Sequence, residues 1–212
     1  MNGETKREEI ANSITHGIGA ALSIAALSVL VVFAGLRGDA WRVVSVSIYG
    51  ATLVLLYLAS TFYHVFSNPR VKRVFHVFDH SAIFLLIAGS YTPFCLVTIR
   101  GGWGWSLFGV VWGIAIFGIV FKAFSTGRYN FVSTVLYIAM GWIAVIAIKP
   151  LVSRLPTGAF AWILLGGLSY TVGVIFYAWE RLPYSHAIWH LFVLGGSTLH
   201  FFAVLFYVLP MA

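Results

Sequence analysis

Seven stretches of the sequence contain no Asp, Glu, Lys or Arg, and each approaches the roughly 20 apolar residues that a bilayer-spanning helix needs. They cover residues 16–36, 43–64, 81–99, 103–121, 131–148, 159–179 and 186–209. Inside lipid, backbone polar groups must be hydrogen-bonded within the chain, and a helix meets this requirement along its whole length. The sequence therefore predicts an all-α integral membrane protein, with residues 1–212 forming a single seven-transmembrane-helix bundle.

The amino-acid composition supports assignment to the membrane proteins and limits the kinds of binding partner to expect. The chain is 60% apolar and only 9% charged, whereas soluble domains carry about 25% charged residues. Its net charge of +7 comes from basic residues spread over almost every loop, which indicates anchoring to anionic lipid head groups and no nucleic-acid partner. No soluble protein partner or oligomeric state is implied. Cys95 is the only cysteine, so any metal must be held by His and carboxylate side chains.

The distribution of Lys and Arg between the two faces predicts the orientation. Eight of these residues lie on the N-terminal face: Lys6, Arg7, Arg70, Lys72, Arg73, Lys122, Arg128 and Arg181. Five lie on the other face: Arg37, Arg42, Arg100, Lys149 and Arg154. Because basic loops stay in the cytoplasm, we expect the N-terminus inside and the C-terminus on the opposite side.

Ionisable and polar groups gather at four helix ends. The set comprises Glu8, Glu9, Asn12, Ser13, Thr15, His16, Ser60, His64, His76, Asp79, His80, His186 and His190. Helices of an alternating bundle place these four ends on the same membrane face, which is the cytoplasmic face in the predicted orientation. Such groups are costly in hydrocarbon, so their convergence indicates a functional site.

Histidine spacing suggests what this site binds. His186 and His190 are four residues apart, so both rings project from one face of a helix. With His64 they would make a three-histidine site with one position left for water, which is the pattern of catalytic zinc. Asp79 could then take the proton of that water. Glu180 is the alternative carboxylate, although its neighbour Arg181 favours pairing at the interface.

The other histidines leave alternatives open. Single histidines at helix ends are often interfacial hydrogen-bond partners, so His16, His76 and His80 can equally be head-group contacts. His200 lies ten residues beyond His190, about 15 Å further along the helix, so it is too deep to share the ion. We expect it to be a buried hydrogen-bond partner.

Several blocks of the sequence resemble the bacterial hemolysin III proteins, in the order of that family. They are EEIANSITHGIG at residues 8–19, STFYH at 60–64, FDHSAI at 78–83, AGSYTP at 88–93, and PYSHAIWH at 183–190 with His200 and Phe201 further on. The resemblance covers nearly the whole chain. Hemolysin III proteins look like the bacterial branch of the progestin and adipoQ receptor superfamily, and are more distantly similar to alkaline ceramidases.

This resemblance implies a zinc-dependent centre like that of an amide hydrolase. His64, His186 and His190 would be the metal ligands, and Ser60 and Asp79 would be catalytic. The implied cofactor is Zn²⁺, and the implied substrate or ligand is a membrane lipid, in a role such as lipid homeostasis. The implied location is the bacterial cytoplasmic membrane, with the metal site on its cytoplasmic side.

Two other classes of function stay open. One is a sensor or regulator of membrane state in which zinc is purely structural. The other is a pore-forming, cytolytic or transport protein, although the spans carry no Asp, Glu, Lys or Arg at mid-membrane to line a pathway.

The orientation leads to a test. A reporter enzyme that is active only outside the cytoplasm, fused at Ala212, should be active in cells, because the larger basic count lies on the N-terminal face. Activity of a cytoplasm-restricted reporter at the same position would reverse the orientation.

Overall fold

The structure, a computed structural model, describes residues 5–36, 39–179 and 181–210, and these residues contain helices but no β-strand. Within them, seven helical segments are long and apolar enough to cross a membrane. They are Lys6–Leu36, Ala40–Val65, Pro69–Thr98, Gly102–Ser125, Asn130–Arg154, Thr157–Ala178 and Ser185–Val208. The predicted all-α, seven-helix membrane fold is confirmed.

The α-helices are numbered here in chain order. They are α1 (Lys6–Leu36), α2 (Ala40–Val65), α3 (Pro69–Pro93), α4 (Gly102–Ser125), α5 (Asn130–Gly141), α6 (Ile148–Arg154), α7 (Thr157–Ala178) and α8 (Ser185–Ala203). The third and seventh spans finish in π-helical turns, Phe94–Thr98 and Val204–Val208. The fifth span is interrupted between α5 and α6 by a 3₁₀ turn, Ile143–Ala147, close to Pro150, which lacks a backbone N–H.

Several helices extend beyond the charge-free stretches. The first helix was predicted to begin at His16 but begins at Lys6, and the third begins at Pro69 instead of Ser81. A charge-free stretch shows which part of the chain can lie in the hydrocarbon of the bilayer. The residue at which the helix begins is set instead by local capping hydrogen bonds. Thr5 and Glu8 form a reciprocal cap, in which Glu8 Oε2 accepts from Thr5 N at 2.8 Å and Thr5 Oγ1 accepts from Glu8 N at 3.3 Å.

Helix packing determines which ends can meet. Helix α1 packs against both α2 and α8, and α2 also packs against α3. On the other side α7 packs on α8 and α4 on α3, while α5 contacts α3, α4 and α7. The start of α1, the end of α2, the start of α3 and the start of α8 therefore lie together at one end of the bundle.

Small residues allow the closest helix approaches. A Cβ atom on Gly89 of α3 would lie 2.9 Å from Cβ of Thr52 on α2, which is too close. A Cβ atom on Gly173 of α7 would lie 2.7 Å from Cβ of Phe192 on α8. Such glycines bring backbones together in membranes, where van der Waals packing drives helix association.

The α2–α3 contact can be tested at Gly89. We expect Gly89→Ala to lower the stability of the detergent-purified protein by about 1–3 kcal/mol, because the new methyl group forces the two helices apart. Gly113→Ala in α4 is the matched control, since its Cβ would meet no atom within 4 Å. Thermal unfolding should separate the variants, and equal melting temperatures would contradict this account of the packing.

Candidate metal centre

Three histidines from two helices meet at the end of the bundle described above. His64 lies in the last turn of α2, and His186 and His190 lie in the first two turns of α8. One ring nitrogen from each lies within 4.8 Å of the others. His64 and His190 are buried, and His186 is partly exposed. The structure thus brings together the three predicted metal ligands as a group that can hold a metal ion.

Hydrogen bonds to the Nδ1 atoms of His64 and His190 fit such a role. Nδ1 of His64 lies 2.7 Å from Oε2 of Glu9. Nδ1 of His190 lies 3.1 Å from Oγ1 of Thr15 and 3.3 Å from the carbonyl oxygen of Asn12. Metal-binding histidines usually bond a carboxylate or carbonyl through one nitrogen and the metal through the other. The donor set, three imidazoles without a thiolate, suits zinc and other divalent transition metals.

The two predicted catalytic residues lie beside the histidines. Ser60 is one turn before His64 on α2, and Asp79 is on α3. Both are buried and both line the same cavity as His186 and His190. Asp79 is close enough to interact with His64 and Ser60, although the Ser60 hydroxyl makes no hydrogen bond of ordinary geometry. The Asp79 carboxylate and the Ser60 hydroxyl therefore border the cavity that His186 and His190 also line.

A cavity of about 140 Å³ extends from this polar end into the bundle. Beyond the histidines its walls come mainly from apolar side chains of α3, α5, α7 and α8, such as Leu86, Ile138, Val174 and Val193. His200 and Trp142 line its deeper part. The cavity thus joins a polar, metal-binding end to an apolar interior.

The remaining histidines have different surroundings. The ring of His16 stacks on His190 with centroids 3.4 Å apart. His76 stacks on Tyr63 at 4.9 Å and meets His80 edge-on at 4.6 Å. His200 donates from Nε2 to the carbonyl oxygen of Ile163 at 3.2 Å, so it makes the expected hydrogen bond, in partly buried surroundings.

Residues of α1 contribute more to the centre than the sequence suggested. Glu9, Asn12 and Thr15 contact the histidine ligands, but no individual role was predicted for them. The spacing of Glu9, Asn12 and His16, at positions i, i+3 and i+7, shows that these three polar residues share one face of the helix. That shared face is the feature of the sequence that could have pointed to α1. Glu180, the alternative carboxylate, lies outside the described residues.

Sequence comparisons agree on one group of relatives. A family model described as Haemolysin-III related matches residues 4–201. The chain is 55% identical over 206 residues to Hemolysin-3 of Bacillus cereus, covering 97% of this chain and 94% of that protein. It is 51% identical to the Hemolysin-3 homolog of Bacillus subtilis (strain 168), covering 96% and 95%. No solved structure matches the chain.

The chain is also similar to a more distant human protein. The chain is 29% identical over 203 residues to the Monocyte to macrophage differentiation factor of Homo sapiens, covering 93% of this chain and 83% of that protein. Both levels of the resemblance proposed from the sequence are thereby confirmed: the hemolysin III proteins and, more broadly, the progestin and adipoQ receptor superfamily.

The metal-binding capacity of the three histidines can be measured directly. Purified protein should bind about one divalent transition-metal ion per chain, and His190→Ala should lose it, because two imidazoles hold an ion far more weakly than three. His200→Ala is the matched control on the same helix, since it lies outside the group. Elemental analysis after chelator-free purification is the readout, and equal metal content in both variants would exclude the site.

Proposed function

We propose that this chain, which belongs to the Haemolysin-III-related family of membrane proteins, is a zinc-dependent hydrolase that cleaves an amide or ester bond in a membrane lipid. One observation carries the proposal: a single cavity, lined at its polar end by His186, His190, Asp79 and Ser60, continues into an apolar interior. A polar end of this kind suits the scissile carbonyl group, and the apolar interior suits an acyl chain.

His64, His186 and His190 would hold the zinc ion. When bound, zinc supplies a Lewis acid for the carbonyl group and lowers the pKa of a coordinated water to about 7. Three protein ligands leave a coordination position open, whereas structural zinc is usually enclosed by four. The cavity beside the histidines favours a catalytic metal over the purely structural metal of a membrane-state sensor.

The protein's own groups would then move the protons. Asp79 takes a proton from the attacking water as the water oxygen bonds to the carbonyl carbon. The carbon–nitrogen or carbon–oxygen bond of the lipid breaks, and Asp79 returns the proton to the leaving amine or alcohol. The Ser60 hydroxyl, which borders the same space, is placed to donate a hydrogen bond to the substrate. The products are a fatty acid and the remainder of the lipid.

The surroundings of the site fit a lipid substrate better than a water-filled pathway. Beyond the histidines the cavity has mainly apolar walls, whereas a lytic or transport pore needs a polar lining along its length. The name of the Bacillus cereus relative, Hemolysin-3, refers to lysis, which release of lipid products could also cause. With the N-terminus inside, the centre would face the cytoplasm, and we propose the bacterial cytoplasmic membrane as its location.

Asp79 provides the sharpest test of catalysis. We expect Asp79→Asn to keep the metal and the fold but to slow the release of fatty acid by roughly a hundredfold to ten-thousandfold, the usual contribution of a general base. The measurement is turnover of a panel of amide- and ester-linked lipids by detergent-purified protein. Asp39→Asn is the matched control, because Asp39 caps α2 at the opposite end of the bundle and pairs with Arg42.

Two outcomes would contradict the proposal in different ways. If Asp79→Asn turns over lipid as fast as the parent protein, Asp79 is not the base. If the parent protein releases no fatty acid above a metal-free control, the hydrolase assignment fails, and a membrane-state sensor with structural zinc replaces it.

A further inference from the structure

We propose that the opening segment of α1, residues 6–16, is the positioning element of the metal centre: it selects the ring tautomer of two metal ligands and holds the helix that carries the third. The inference rests on the metal site of the proposed function but not on turnover. Three independent contacts support it, from Glu9, from Thr15 with Asn12, and from Glu8.

Glu9 selects the tautomer of His64. A carboxylate only accepts hydrogen bonds, so the 2.7 Å contact from Glu9 Oε2 requires the hydrogen on Nδ1 of His64. The lone pair is then on Nε2, the nitrogen that can bind a metal. The second carboxylate oxygen of Glu9 pairs with Lys72 of α3, which holds the carboxylate in place. Glu9 therefore links α1, α2 and α3 at the ligand.

Thr15 and Asn12 select the same tautomer at His190. The Thr15 hydroxyl lies 2.9 Å from the carbonyl oxygens of Ala11 and Asn12, and when its single hydrogen points to them it accepts from the imidazole. The carbonyl oxygen of Asn12, 3.3 Å from Nδ1, is likewise an acceptor. Both contacts favour the tautomer with the hydrogen on Nδ1 and the lone pair on Nε2. The stacked ring of His16 packs against the face of His190 and limits its rotation.

Glu8 holds the start of α8. Its Oε1 accepts from the backbone N–H of Tyr184 at 3.0 Å, just before α8 begins at Ser185. Tyr184 has a left-handed backbone (φ 58°), a conformation that costs energy for a residue with a side chain and needs support from its surroundings. This bond fixes the backbone from which His186 and His190 project.

These contacts predict a specific defect when α1 is altered. Groups that orient a metal ligand typically contribute tenfold to a hundredfold in metal affinity, while the bundle is held by packing elsewhere. The variants should therefore bind metal more weakly without unfolding. A merely structural role of α1 would instead lower the stability of the metal-free protein.

The experiment compares point variants of the full chain in detergent. Glu9→Gln can present either its carbonyl or its NH₂ group to His64, so it no longer selects the tautomer. Thr15→Val keeps the branched shape and removes the hydroxyl, and Thr15→Ser restores it. Thr61→Val is the matched control, because Thr61 is also partly buried and bonds a carbonyl of its own helix, that of Tyr57.

Three quantities are measured: zinc affinity by competition with a chromophoric chelator, the rise in melting temperature on adding zinc, and the visible spectrum of the Co²⁺-substituted protein. We expect zinc affinity to fall about tenfold to a hundredfold in Glu9→Gln and about tenfold in Thr15→Val. The zinc-induced rise in melting temperature should shrink and the Co²⁺ bands should shift. Thr15→Ser and Thr61→Val should behave like the parent protein.

The outcomes separate this inference from the hydrolase proposal. If the parent protein binds zinc and Glu9→Gln and Thr15→Val bind it equally tightly, the positioning role is wrong, whatever the turnover. If their metal-free melting temperatures fall and their zinc affinities do not, α1 is structural and the inference is overturned. A parent protein that binds zinc without hydrolysing lipid contradicts only the hydrolase, and one that binds no zinc overturns both.

Discussion

The packing of α1 against both α2 and α8 is the interaction on which the candidate metal centre depends. His64 belongs to α2, and His186 and His190 belong to α8, so the candidate ligands come from helices that both pack against α1. The first turns of α1 bring hydrogen-bond acceptors to His64 of α2 and His190 of α8. Helix α1 therefore supports candidate ligands on both of these helices.

The bilayer explains why the polar groups are gathered at one end. Hydrocarbon cannot hydrogen-bond, so a polar side chain within it needs a partner in the protein. Deeper in the bundle this rule is met by a small cluster around Ser197, whose Oγ lies 2.8 Å from the hydroxyl of Tyr57 and 2.9 Å from that of Tyr170. These bonds tie α2, α7 and α8 together below the histidines. The walls of the cavity can then be mainly apolar without leaving these polar groups unpaired.

The cavity has a polar end and an apolar interior, and this arrangement relates the fold to the proposed chemistry. A hydrolase for lipids must hold a carbonyl group near water and proton carriers while its acyl chain stays in an apolar environment. A bundle with its costly residues at one end meets both needs in a single space. The fifth span is not a continuous α-helix near this cavity, because the 3₁₀ turn Ile143–Ala147 interrupts it before α6.

Much of this protein was determined by its sequence alone. Charge-free stretches of bilayer length predict seven helices, and the alternation of helix direction places Ser60, His64, Asp79, His186 and His190 on one face. Tertiary structure decided which helices are neighbours, and therefore that Glu9 meets His64 and that Thr15 meets His190. Periodicity reports which residues share a face of one helix, but a contact between residues 55 or 175 positions apart depends on the packing of side chains between helices. The predicted helix ends are wrong for a related reason. The length of an apolar stretch reports the thickness of the bilayer core, whereas the helix start depends on local capping bonds such as Thr5–Glu8.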